Sequence, residues 1–177
     1  MKYNPNINYR CSKRLKDYDY SASGKYFVTI CTQDRALLFG EVTVGAGLVS
    51  ALMIMNDAGE MIERIYVETI NSFENVAIDK YIVMPNHFHG TIMIKDDQRA
   101  DTKPDPTIGD ILSAFKSKTT SEYIKGVKTG LYPQFNKRIW QRNYYEHVIR
   151  NDADYQARWQ YIDENPARWT EDEYNML

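Results

Sequence analysis

Asp79-Lys80-Tyr81-Ile82-Val83-Met84-Pro85-Asn86-His87-Phe88-His89-Gly90-Thr91-Ile92-Met93-Ile94 reads as parts of two β-strands folded about Pro85-Asn86, a pair of turn formers. The strands are expected from Asn75 to Met84 and from Asn86 to Lys95, paired antiparallel. The second carries two of the chain's three histidines, at a spacing of two. Side chains at i and i+2 leave a strand from one face, so His87 and His89 converge while Phe88 points into the core. Two neutral imidazoles on one face make a platform for a divalent metal, provided a further ligand comes from elsewhere.

Upstream, Tyr26-Phe27-Val28-Thr29-Ile30-Cys31-Thr32 is rich in aromatic and β-branched residues, and the polar flanks Ser23-Gly24 and Gln33-Asp34-Arg35 bound a central strand. Leu37 to Val44 and Leu48 to Met55, around Gly45-Ala46-Gly47, read as an appended hairpin. After Asn56 or Asp57 as N-cap, Ala58, Met61, Ile62, Ile65 and Tyr66 recur at helical spacing to about Ile70. Downstream, Asp96 to Pro106 is polar and proline-containing, the composition of a flexible surface loop. Thr107-Ile108-Gly109-Asp110 has the capping-box spacing, and Ile108, Ile111, Leu112, Phe115 and Thr119 line one side of the helix that follows. Arg138 to Ile149 reads as extended, and Asn151 opens a last helix through Asn165, stopped by Pro166. This order fits an α+β fold: a ferredoxin-like (RRM-like) split β-α-β antiparallel sheet, helices on one face, and an additional C-terminal helix.

With 177 residues and 43% hydrophobic content, the chain is expected to form a single domain, residues 1–177, with a basic N-terminal arm (1–24) and a flexible loop (96–106). Met1 to Lys16 contains no apolar h-region, and no apolar run approaches the ~20 residues a membrane span needs, so a cytoplasmic location is expected. Cys11 and Cys31 stand alone, which suits a reducing compartment better than a disulfide framework. The net charge of -2 is unevenly spread: residues 1–38 carry +4, residues 39–102 carry -6, residues 103–168 carry +3, and the tail -3. The basic regions can face a phosphate backbone while the acidic middle faces solvent.

In the last helix, Tyr155, Trp159 and Ile162 have the spacing of a buried stripe, and Arg158, Tyr161 and Asn165 lie on an adjoining face. Laid over the histidine strand, that face would present a phenol, an amide oxygen and two imidazoles to one phosphate. A phenol is too weakly acidic to attack at neutral pH unless it is deprotonated or a metal makes the phosphorus more electrophilic. His147 shares a strand face with Tyr145, which leaves a structural, DNA-facing or supporting role open.

Together, Tyr26 to Thr32, Val83-Met84-Pro85-Asn86-His87-Phe88-His89-Gly90, and Trp140-Gln141-Arg142-Asn143-Tyr144-Tyr145-Glu146-His147-Val148-Ile149-Arg150-Asn151, followed by Tyr161 and Asn165-Pro166, resemble the IS200-like transposases. More closely still, these segments resemble the REP-associated tyrosine transposases, a match that covers the chain from about Arg10 to Trp169. The resemblance implies a metal-dependent single-stranded DNA endonuclease and strand transferase that acts next to hairpins. It implies Tyr161 as the nucleophile, forming a 5′-phosphotyrosine and a free 3′-OH, and His87, His89 and Asn165 as holders of Mg²⁺ or Mn²⁺. Arg10, Lys13, Arg14, Lys16, Lys116, Arg142 and Arg150 are the candidate DNA contacts. A homodimer and a monomer both remain open on this resemblance. Two other readings stand beside it. His89-Gly90-Thr91 fits one element of a two-histidine phosphoesterase, which uses a pair of them, and the same sheet serves non-catalytic nucleic-acid-binding modules.

Overall fold

The computed structural model describes residues 19–20, 22–44, 51–96, 106–172 and 174–175. The chain runs through β1 (Gly24–Cys31), β2 (Gly40–Val44), β3 (Ala51–Met55), α1 (Asp57–Asn71), β4 (Val76–Met84), β5 (His87–Ile94), α2 (Ile108–Lys128), β6 (Tyr145–Ile149) and α3 (Asp152–Glu164). Four strands form an antiparallel sheet in the order β4-β5-β1-β6, the ferredoxin-like arrangement expected from the sequence. β2 and β3 form a separate two-stranded sheet, shorter than the Leu37–Val44 and Leu48–Met55 hairpin arms; the turn at Gly45-Ala46-Gly47 lies outside the described residues.

Alternation along β1 and β5 divides the sheet into two faces with different contents. Tyr26, Val28 and Ile30 pair across with Ile92, Gly90 and Phe88, and join the core beneath α1 and α2. Phe88 is the centre of that core, its ring 4.6 Å from Tyr66 of α1 and 5.4 Å from Phe115 of α2. Gly90 is required by the same packing, since a Cβ there would lie 3.1 Å from the Tyr66 hydroxyl and 2.9 Å from the Phe88 ring. Phe88→Ala should therefore lower stability by about 3–5 kcal/mol in urea denaturation, the range for emptying a buried aromatic site. A loss under about 1 kcal/mol would show that this face is not the principal core.

The opposite face carries Phe27, Thr29, His87 and His89, with Tyr145 and His147 supplied by β6, and α3 crosses it. Helix ends follow the sequence signals. The Asn56 side chain accepts from Gly59 N, Thr107 and Asp110 form a reciprocal capping box, and Asn151 accepts from Asp154 N.

Two expectations need correction. Arg138 to Ile149 is not one extended strand: it touches the sheet as a single bridge, Trp140 to Thr32, before β6 begins at Tyr145. Lys137 has a positive φ of 61°, and the Gln141, Arg142 and Asn143 carbonyls accept from the Lys116 ammonium at 2.9, 3.3 and 3.4 Å instead of joining a ladder. On α3, only Ile162 of the expected Tyr155-Trp159-Ile162 stripe is buried, and Trp159 is 38% exposed. α3 is packed by its Arg158-Tyr161-Asn165 side instead, and Trp159 lies at the rim under the Lys80 ammonium.

Candidate active site

His87 and His89 are both wholly buried on the α3 face, their ring centroids 4.4 Å apart. Each is fixed through Nδ1. His87 Nδ1 donates to Asn86 Oδ1 at 2.9 Å, and His89 Nδ1 meets Thr29 Oγ1 at 2.8 Å. Asn86 Oδ1 can only accept, so the His87 proton sits on Nδ1 and its Nε2 lone pair is left to bind something; His89 presents the same lone pair when the Thr29 hydroxyl accepts from its Nδ1. Both Nε2 atoms are buried and without a hydrogen-bond partner, as is Asn165 Oδ1. Three orphaned acceptors in one dry place are costly unless they hold a ligand, and two imidazole nitrogens with oxygen donors suit a divalent cation.

Burial pushes the His87 ring down to about 3, with the Arg35 charge adding to the shift; the Asn165 carboxamide, close by but outside hydrogen-bond geometry, opposes it. Burial likewise holds His89 well below its ordinary range, and the neighbouring His87 reinforces it. Both rings are thus neutral at physiological pH, the form a metal requires. The unfolded chain takes up these protons near 6.5, so below that value it binds more protons than the folded chain. The metal-free protein should therefore lose stability on acidification from about pH 6.5 towards 3, by about 1.4 kcal/mol per pH unit for each titrating ring. Denaturation midpoints independent of pH across that window would contradict the buried neutral pair.

α3 brings the tyrosine to the histidines. The Tyr161 ring meets the His89 ring edge-on at 5.1 Å, and both rest on Phe27, at 5.9 and 5.4 Å. One turn before Tyr161, Arg158 lies 5.6 Å over the same Phe27 ring and donates from Nε to Asp154 Oδ1 at 3.3 Å. Asp154 Oδ2 also bonds His147 Nε2 at 2.7 Å, so the third histidine braces the start of α3 instead of joining the other two. One turn after Tyr161, Asn165 is the C-cap of α3 and is buried beside His87.

Other residues at the site carried no local signal in the sequence. Thr29 and Asn86 orient the imidazoles, and they are brought there by strand pairing and the β4–β5 turn. Arg35, at a positive φ of 53°, lies 4.7 Å over the Tyr174 ring. Asp172 brings a carboxylate oxygen into a group with His87 and His89, all their ligand atoms within 4.8 Å of one another. That residue reads only as part of an acidic tail in the sequence.

Three of the seven candidate DNA contacts, Lys116, Arg142 and Arg150, fall among the described residues. Arg10, Lys13, Arg14 and Lys16, most of the N-terminal arm and most of the 96–106 loop lie outside the described residues. Lys116 is held by backbone carbonyls, and burial pushes its ammonium down to about 8. It borders a cavity of about 550 Å³ between α2 and residues 138–142 that Arg138, Arg142, Ser117 and Ser121 also line. Arg150 is exposed just before α3. Among the described residues, no helix is long and apolar enough to cross a membrane.

Comparison with known proteins agrees with this architecture. An uncharacterised protein of Haemophilus influenzae is 36% identical, the alignment covering 97% of this chain and 96% of that protein. A second Haemophilus influenzae protein, assigned by name to the REP-associated tyrosine transposases, is 26% identical over 85% of this chain and 74% of its own length. A solved REP-associated tyrosine transposase bound to a REP hairpin superposes with a TM-score of 0.56 at 19% identity, over 88% of this chain and 74% of that one. A Deinococcus radiodurans protein assigned as a transposase gives a TM-score of 0.50 at 15% identity, over 85% of this chain and 95% of that one. No family model matches the chain.

Proposed function

We propose that the chain is a transposase of the REP-associated tyrosine type, as its likeness to proteins of that name supports, and that it cleaves and rejoins single-stranded DNA next to hairpins through a covalent bond to Tyr161. The observation that carries the proposal is the convergence of two distant segments: the Tyr161 ring lies 5.1 Å from that of His89, beside two unpartnered imidazole nitrogens. Neither segment alone specifies more than a metal or a packed aromatic.

His87, His89 and Asn165 would hold Mg²⁺ or Mn²⁺. When bound, the ion supplies Lewis-acid stabilisation of the charge that builds on the scissile phosphate. The Tyr161 phenol attacks phosphorus and gives up its proton, the bond from phosphorus to the 3′ oxygen breaks, and that oxygen takes a proton to leave as the 3′-OH. The 5′ end remains esterified to Tyr161. Because one phosphoester replaces another, attack by a different 3′-OH can reverse the step and join a new end. Phe27 packs nearly perpendicular to the Tyr161 ring and so limits the direction of the phenol, and Asp154 holds the Arg158 guanidinium one turn away, where it can meet a phosphate oxygen.

Arg142 and Arg150 would contact the DNA backbone. The groove beside Lys116 suits a phosphate run because Arg138 and Arg142 line it together with serine hydroxyls. Lys116 would shape this surface by holding the 141–143 backbone. Incubation of the full chain with a labelled single-stranded hairpin oligonucleotide and Mg²⁺ should give a protein–DNA adduct that survives denaturing electrophoresis. Cleavage with free 5′-phosphate and no adduct would favour the phosphoesterase reading, and binding without cleavage the non-catalytic one.

A further inference from the structure

Pro166 ends α3, and the chain turns back through a 3-10 turn, Trp169–Glu171, onto the two histidines. The Trp169 and Tyr174 rings lie 6.0 and 4.8 Å from the His87 ring, and Tyr174 is 5.9 Å from His89. The Tyr174 carbonyl accepts from Asn86 Nδ2 at 2.8 Å. Asn86 also fixes the His87 ring, so the tail and the first histidine share one anchor. Between these contacts Asp172 is held twice: Oδ1 accepts from Tyr174 N at 2.7 Å, and Oδ2 accepts from Asn165 Nδ2 at 3.3 Å. A carboxylate oxygen of Asp172 is thus within 4.8 Å of an imidazole nitrogen of each histidine, whose Nε2 atoms have no partner.

Charge and donor chemistry decide what Asp172 is for. Two neutral imidazoles and an amide give a dication no opposing charge, and Mg²⁺ and Mn²⁺ prefer anionic oxygen. Asn165 presents its amide nitrogen to Asp172 while its buried Oδ1 remains unpartnered. We propose that Asp172 is the anionic ligand of the divalent ion, and that Asn165, besides offering its own oxygen, positions this carboxylate. The tail is then a structural part of the metal centre, and ion binding ties residues 166–172 to β5. The proposal rests on the reading that the histidine site takes a divalent cation.

Mn²⁺ titrated calorimetrically into the full chain, without DNA, separates the two claims. Wild-type protein should bind one ion at this site, and Asp172→Asn should bind more than about 100-fold more weakly, beyond the loss that removing a merely supporting group causes. Asp163→Asn, on the exposed side of α3, should bind like wild type. Binding in wild type with an unchanged constant in Asp172→Asn would overturn the role of Asp172. No binding in wild type would overturn the metal reading itself. A second measurement needs no variant: Mn²⁺ should raise hydrogen-exchange protection of the amides in residues 167–172, and unchanged protection with the ion bound would overturn the tethering.

Discussion

Tyr161→Phe should eliminate the covalent protein–DNA species and reduce cleavage of the hairpin oligonucleotide by at least about 10⁴-fold, the scale on which removing a nucleophile acts. The substitution removes one oxygen and keeps the ring. Tyr161 meets Phe27 and His89 edge-on, contacts made by ring carbons and hydrogens that phenylalanine also provides. The variant should therefore keep this ring packing and fold like wild type, bind Mn²⁺ like wild type, and bind the hairpin with an affinity within about twofold, since the ring and its place on α3 are retained. A variant that loses adduct and metal together would instead mean that the phenol supports the site's architecture. Persistence of the adduct would move the nucleophile to another of the chain's fourteen tyrosines, of which Tyr174 is near the same histidines.

His89→Ala should abolish measurable Mn²⁺ binding and lower cleavage to the background of the Tyr161→Phe variant. His89 contributes one of the two unpartnered Nε2 atoms, and no other histidine can replace it, because His147 is bonded to Asp154. The orienting partner offers a finer test. Thr29→Val keeps the β-branched shape on β1 but removes the group that meets Nδ1, so metal affinity should fall about 10- to 100-fold, as for other supporting partners of metal-bound histidines. His89→Ala should also halve the acid sensitivity of the metal-free protein, since one of two buried neutral rings no longer resists protonation. Full metal affinity in both variants would place the ion elsewhere.

The four-stranded sheet and the histidine pair were legible because their signals are local. Alternation along Tyr26–Thr32 and Asn86–Lys95 decides which side chains share a face, and the caps at Asn56, Thr107 and Asn151 mark where helices begin. The link to Tyr161 and Asn165 rested on their shared helix face together with the resemblance to a family, since helical spacing alone put Trp159 inside and left Tyr161 at the margin. Packing reverses that order, because α3 crosses an already filled strand face and seats its Tyr161 side on Phe27 and His89. Asp172 and Tyr174 were hidden for a related reason. Their positions depend on the turn after Pro166 and on Asn86, a residue 88 positions away from Tyr174. An acidic run near a chain end carries no sign of such a contact.

The most direct test of the account is the site of covalent attachment. After reaction of wild-type protein with a hairpin oligonucleotide and Mg²⁺, nuclease trimming and proteolysis, mass spectrometry should find a nucleotide phosphate on Tyr161 of the α3 peptide. The same phosphate on Tyr174 or any other residue, or cleaved DNA with no modified peptide, would contradict it.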